Sequence, residues 1–123
     1  MILSLLLWAV SPPAPASAAQ AQEPLDTLVR VGQHRLHFVV YRDSGPVTIL
    51  LEAGGGADLS SWAGVPRTLA EQTGATVVAY DRAGLGGSEP GPPTSKPEDE
   101  VRDLHTALDQ LSVPAKTILV GHS

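Results

Sequence analysis

The chain has 123 residues, room for one domain at most. Its apolar share of 42% is that of an ordinary globular protein and its aromatic share is only 4%, so a core has to rest on Leu, Val, Ile and Ala. A net charge of -5 without any Lys/Arg-rich run gives nucleic acid no electrostatic footprint, and the lack of cysteine excludes disulfides, thiolate metal sites, cysteine nucleophiles and cysteine-linked lipids.

Residues 2–10 are an apolar run, and residues 11–21 are rich in Pro, Ala and Ser, with small-residue cleavage candidates at Ala16-Ser17-Ala18 and Ala19-Gln20-Ala21. That is the layout of a secretory signal peptide, although its first residues carry neither Lys nor Arg. The run is too short to cross a bilayer as a helix, so no stable membrane span is expected. The expectation is an export signal over residues 1–21 and a secreted or periplasmic protein. The alternative is a cytoplasmic chain with a disordered or anchoring tail.

The folded part is expected to be one domain over residues 22–123. Residues 27–31 and 36–41 read as two strands joined by Gly32-Gln33-His34-Arg35, an antiparallel hairpin with glycine in its turn. After a turn at Asp43-Ser44-Gly45-Pro46, residues 47–51 form a nearly continuous apolar run, the pattern of a parallel strand covered on both faces. Gly54-Gly55-Gly56 follows. A short helix is expected from Pro66, which suits a first turn, to Thr73, with Gly74 placed to end it.

Residues 76–80 are another short apolar strand, leading into Asp81-Arg82-Ala83-Gly84-Leu85-Gly86-Gly87-Ser88 and a Pro/Gly loop. The next helix is the best-defined element. Ser95 and Glu98 have capping-box spacing, Glu98, Asp99 and Glu100 fill the first turn, and Val101, Leu104, Leu108 and Leu111 make an apolar stripe. Val113-Pro114 ends the helix, and a last apolar strand runs into Gly121-His122-Ser123. A hairpin followed by strand, helix, strand, helix, strand predicts an α/β fold with parallel strands and right-handed crossovers.

Three loops thus follow three apolar strands, at the sheet edge where parallel sheets bind ligands. Each has a plain structural reading. A glycine run can be a flexible turn or begin a phosphate loop, although Gly54-Gly55-Gly56 has neither the spaced glycines of a dinucleotide site nor a following Gly-Lys-Ser. Asp81 and Arg82 can be catalytic, but are better read as a charge-assisted pair holding their own loop while Gly84 and Gly86 permit its turns. Gly121-His122-Ser123 is either a chance turn or the first half of a G-x-S-x-G nucleophile elbow.

Together, Leu51-Glu52-Ala53-Gly54-Gly55-Gly56 leading to Trp62, residues Asp81 to Ser88, and Gly121-His122-Ser123 resemble the α/β-hydrolase fold family in its serine esterase and lipase-like branches. The resemblance spans residues 27–123. It implies the amino-terminal part of that fold, with an incomplete sheet in which the fifth strand lacks a neighbour on one side. It further implies a serine hydrolase acting on a small-molecule ester or related acyl substrate, without cofactor or metal, with acyl transfer and C–C hydrolysis as variants. Ser123 would be the nucleophile, with Gly121 and His122 forming the elbow. Gly55 would supply an oxyanion N–H, and Gly54 and Gly56 would border the substrate. Asp81, Arg82, Gly84, Gly86 and Ser88 would be structural. The family's histidine before the oxyanion glycine is here Ala53. A serine nucleophile argues against dehalogenase and epoxide-hydrolase chemistry.

In that family the acid and the base follow the serine. His34, His37, His105 and His122 all precede Ser123, and none has the spacing of a zinc site. His34 is expected in a hairpin turn, and His37 and His105 half-buried or at the surface. Residues 1–123 alone are therefore expected to be nearly inactive, as a fragment or a non-catalytic binding product. Nothing in the sequence specifies an oligomeric state.

Overall fold

The computed structural model describes residues 22–123, so the expected signal peptide lies outside the described residues. Five strands form one mixed sheet: β1 (Leu25–Val31), β2 (His34–Tyr41), β3 (Val47–Glu52), β4 (Thr76–Tyr80) and β5 (Lys116–Gly121). Their spatial order is β1-β2-β4-β3-β5. The hairpin β1–β2 is antiparallel and β2 also lies antiparallel to β4, whereas β3 is parallel to both β4 and β5. Two helices join the parallel strands, α1 (Val65–Thr73) and α2 (Pro97–Leu111).

The sheet is covered on both faces. Val40, Val78 and Leu50 belong to a core with Phe38, Ala107 and Leu111, beneath α2. Leu51, Val77 and Ala79 join Ile49, Ala70 and Ala75 on the opposite face, beneath α1. All five residues of β4 are buried, which is why β4 reads as an unbroken apolar run. β5 lies outside β3 with no second partner among the described residues, and Ile118 and Leu119 are 52% and 64% exposed. Beside Leu119, an open groove of about 530 Å³ runs between β3, β5 and α2, lined by Leu50, Tyr80, Val101, Leu104 and Leu108 among others. No described helix is long and apolar enough to cross a membrane.

Several local expectations shift. The hairpin turn is only Gly32-Gln33, with Gly32 at φ +62°, and His34 is the first residue of β2 and buried. Its pairing with Val31 closes the ladder sooner than the loop composition suggests. α2 begins at Pro97 after an extended Lys96, and the Asp99 carboxylate accepts the Lys96 N–H at 3.0 Å, so the cap is not Ser95 with Glu98. Proline lacks an N–H and has φ preset for a first helical position, which moves the start past Ser95. The buried face of α2 centres on Ala107 and Leu111, with Leu104 and Leu108 beside them. Val101 stands at the groove and is 57% exposed. One short 3-10 turn, Leu59–Trp62, precedes α1; the Asp58 carboxylate caps it through Ser60 N–H.

Candidate active site

The carboxyl ends of β3, β4 and β5 meet at one edge. Glu52 and Gly121 are register partners, and the His122 N–H donates to the Glu52 carbonyl at 3.1 Å, extending the ladder one step beyond β5. The loop after β3 then backs onto the Gly121-His122-Ser123 segment. A Cβ on Gly54 would stand 3.1 Å from the His122 carbonyl oxygen and 3.3 Å from Ser123 Cα, so glycine is what lets the two backbones approach. Gly55 and Gly56 are exposed beyond that contact. Gly54 to Ala57 form a turn closed by a 3.1 Å bond from Ala57 N–H to the Gly54 carbonyl, and Gly56 has φ +75°.

Ser123 is exposed, and among the described residues its hydroxyl makes no hydrogen bond. The His122 ring packs edge-on against Trp62, with centroids 5.7 Å apart, which ties Ser123's neighbour to the end of the 3-10 turn. A Cβ on Gly121 would meet nothing within 4 Å, so no crowding among the described residues accounts for that glycine.

The loop after β4 is organised by Asp81, which is 2% exposed. Asp81 Oδ1 accepts the Leu59 N–H at 2.6 Å, and Oδ2 accepts the Gly87 N–H at 2.8 Å and lies 2.8 Å from His37 Nδ1. Ser88 donates its hydroxyl to the Asp81 carbonyl and accepts the His37 N–H. A Cβ on Gly86 would fall 2.3 Å from Asp81 Oδ2, and Gly86 and Gly84 both have positive φ. The expected pairing between Asp81 and Arg82 does not occur. Arg82 turns the other way, to Glu52 at 3.4 Å and to the Gly54 carbonyl at 2.6 Å. Both residues lie just past the end of β4, where Asp81 reaches His37 of β2 and Leu59, and Arg82 reaches Glu52 and Gly54 at the end of β3.

His37 is not a free surface group. Its Nε2 lies 2.9 Å from Asp26, so the ring bridges two carboxylates. Burial opposes its charge, but the bonds to Asp81 and Asp26 outweigh that and raise its pKa above the usual histidine value. His34 Nε2 stands 3.7 Å from Asp103, and its Nδ1 has no hydrogen-bond partner among the described residues. His105 is exposed on α2. The Tyr80 hydroxyl donates to Glu52, and burial together with that carboxylate pushes its pKa up. Glu52 and Tyr80 escape a sequence reading; their signal is only an acidic residue ending an apolar strand and a tyrosine before Asp-Arg. No group of three or more His, Asp or Glu able to hold a metal occurs among the described residues.

A mixed sheet with crossover helices on both faces and glycine loops at its carboxyl edge defines an α/β protein. The chain belongs to the α/β-hydrolase fold family: the family model for that fold matches residues 47–123, from β3 to Ser123. Solved structures agree. Cfl2 from Burkholderia cenocepacia is 25% identical with a TM-score of 0.71, covering 85% of this chain and 34% of its own. A mutant of Vigna radiata epoxide hydrolase is 26% identical with a TM-score of 0.68, covering 82% and 31%. Proline iminopeptidase from Mycobacterium smegmatis, at 22% identity and a TM-score of 0.67 over 80% and 35%, shares the fold. The chain spans less than half the length of these structures. The search of curated proteins gives no significant match.

Proposed function

We propose that this chain is the nucleophile-bearing part of a serine hydrolase acting on a small-molecule ester or related acyl substrate. Ser123 attacks the carbonyl and the Gly55 N–H takes the developing oxyanion. The observation that carries the reading is the close approach of Gly54 to the backbone of His122 and Ser123, which sets the loop of the exposed Gly55 next to an exposed serine; among the described residues the Gly55 N–H has no acceptor. An oxyanion donor acts at short range on charge that develops beside the nucleophile, so this adjacency is what the chemistry requires.

Residues 1–123 alone would turn over very slowly. Among the described residues no base adjoins Ser123: His37 bridges two carboxylates, His34 faces Asp103, and the His122 ring lies on Trp62. A serine hydroxyl without a general base is a weak nucleophile. The test is labelling by a fluorophosphonate probe, on the 123-residue chain and on any longer product of the same reading frame. A product that adds a carboxylate and a histidine is expected to label and to lose labelling in Ser123→Ala, while the 123-residue chain stays nearly unlabelled. Labelling of the longer product that survives Ser123→Ala would sink the assignment of the nucleophile.

A further inference from the structure

Arg82 reaches from the end of β4 to the loop after β3. Its Nη2 donates to the Gly54 carbonyl at 2.6 Å, its Nε stands 3.4 Å from Glu52, and Glu52 also accepts the Tyr80 hydroxyl. The Gly54 oxygen takes a second bond from Ala57 N–H at 3.1 Å. That oxygen and the Gly55 hydrogen belong to one peptide unit, which is planar and, like every described peptide, trans. In such a unit C=O and N–H point opposite ways, so holding the oxygen aims the hydrogen.

We propose that Arg82 is a positioning residue for the reaction, anchoring and polarising the Gly54 carbonyl so that the Gly55 N–H faces the oxyanion. The inference rests on the serine-hydrolase reading of the site. Among the described residues Arg82 is the one side chain that donates to the Gly54–Ala57 turn, because Ala53 offers no polar group. A guanidinium on a carbonyl is a charge-assisted bond, and hydrogen bonds in series strengthen one another, so the Gly55 N–H becomes a better donor as well as a better-aimed one. Glu52 fixes the guanidinium from its Nε side, and Tyr80 occupies another lone pair of that carboxylate. A three-glycine loop has the greatest backbone freedom of any sequence, so without these anchors the peptide plane would rotate.

The experiment measures residual dipolar couplings and amide order parameters of the 15N-labelled 123-residue chain. Wild-type Gly55 is expected to be ordered like the strand amides, with an order parameter of about 0.85, falling below about 0.6 in Arg82→Met while β3 and β4 amides hold their values. An unchanged Gly55 coupling in folded Arg82→Met overturns the proposal. Should that variant fail to fold, Arg82→Lys, which keeps a cationic donor and loses the Nε contact, is expected to give an intermediate coupling, and an unchanged one overturns the proposal equally. In a form with Ser123-dependent ester turnover, Arg82→Met lowers kcat about 10- to 100-fold with KM nearly constant, below the roughly 100- to 1,000-fold cost of deleting an oxyanion donor. A loss confined to KM overturns it. Absence of Ser123-dependent labelling would instead strike the reading of the site, while the couplings still report the peptide's orientation.

Discussion

Asp81→Asn tests the centre of the site's scaffold. The carboxylate is 2% exposed and serves two backbone donors and one imidazole, Leu59 N–H on Oδ1 and Gly87 N–H and His37 on Oδ2. An amide leaves one acceptor oxygen. If the NH2 takes the Oδ1 position, Leu59 N–H is orphaned; if it takes Oδ2, both Gly87 N–H and His37 lose their acceptor. The first arrangement still leaves one buried donor unmet, at about 1–3 kcal/mol, and exchanges a charge-assisted bond to His37 for a neutral one, at about 1 kcal/mol. The expected loss is therefore about 2–4 kcal/mol, a large part of the roughly 5–15 kcal/mol that holds a domain together.

Urea unfolding followed by circular dichroism measures this loss, and NMR titration of His37 supplies an independent readout. The His37 pKa is raised, so its stabilisation is complete below the unfolded value of about 6.5 and is lost as pH climbs through the folded value. Wild-type stability should decline on that alkaline limb, with a shallower decline in Asp81→Asn, whose His37 pKa falls because only Asp26 remains. Asp81→Asn within about 1 kcal/mol of wild type, with His37 titrating as before, would refute the hub.

Three further outcomes are expected. Gly86→Ala forces a side chain into φ +50° and sets its Cβ 2.3 Å from the Asp81 carboxylate, so it should cost at least about 1–3 kcal/mol in a thermal or urea melt; an unchanged midpoint would contradict the loop geometry. Leu119→Lys places a charge on the exposed face of the β5 edge and should lower concentration-dependent light scattering without lowering the melting temperature, because edge strands with apolar faces recruit other edges. Residues 1–21 fused to a leaderless periplasmic reporter should export it, and a reporter retained in the cytoplasm would reject the signal-peptide reading.

What the sequence makes legible follows from how each signal is encoded. β3 and β4 are visible because strands buried on both faces need apolar residues at successive positions, and the glycines after them are visible because tight backbone approach admits nothing larger. The 3-10 turn at Leu59–Trp62 is too short to show periodicity, so its only trace is Asp58 before Ser60. Val101 fits the helical stripe by spacing, yet the stripe says nothing of where the covered surface ends, and Val101 falls at the groove. His37 alternates on a strand like a surface residue. Its partner Asp81 lies 44 positions away, and no local pattern records that pairing.

The Asp81-Arg82 pair shows how a correct role can rest on the wrong contact. Read along the chain, adjacent opposite charges suggest a bond with each other that stiffens their own loop. β4 lies between β2 and β3, however, so the residues that leave its end have partners within reach on either side. Asp81 therefore fastens the loop to His37 of β2 and to Leu59, and Arg82 fastens it to Glu52 and Gly54 of the β3 segment. A bond between the two would have spent both charges within one loop. Divided as they are, the same two residues tie the loop after β4 to strand β2 and to the loop after β3, and the side assigned to Arg82 is the one that carries Gly55 and abuts Ser123.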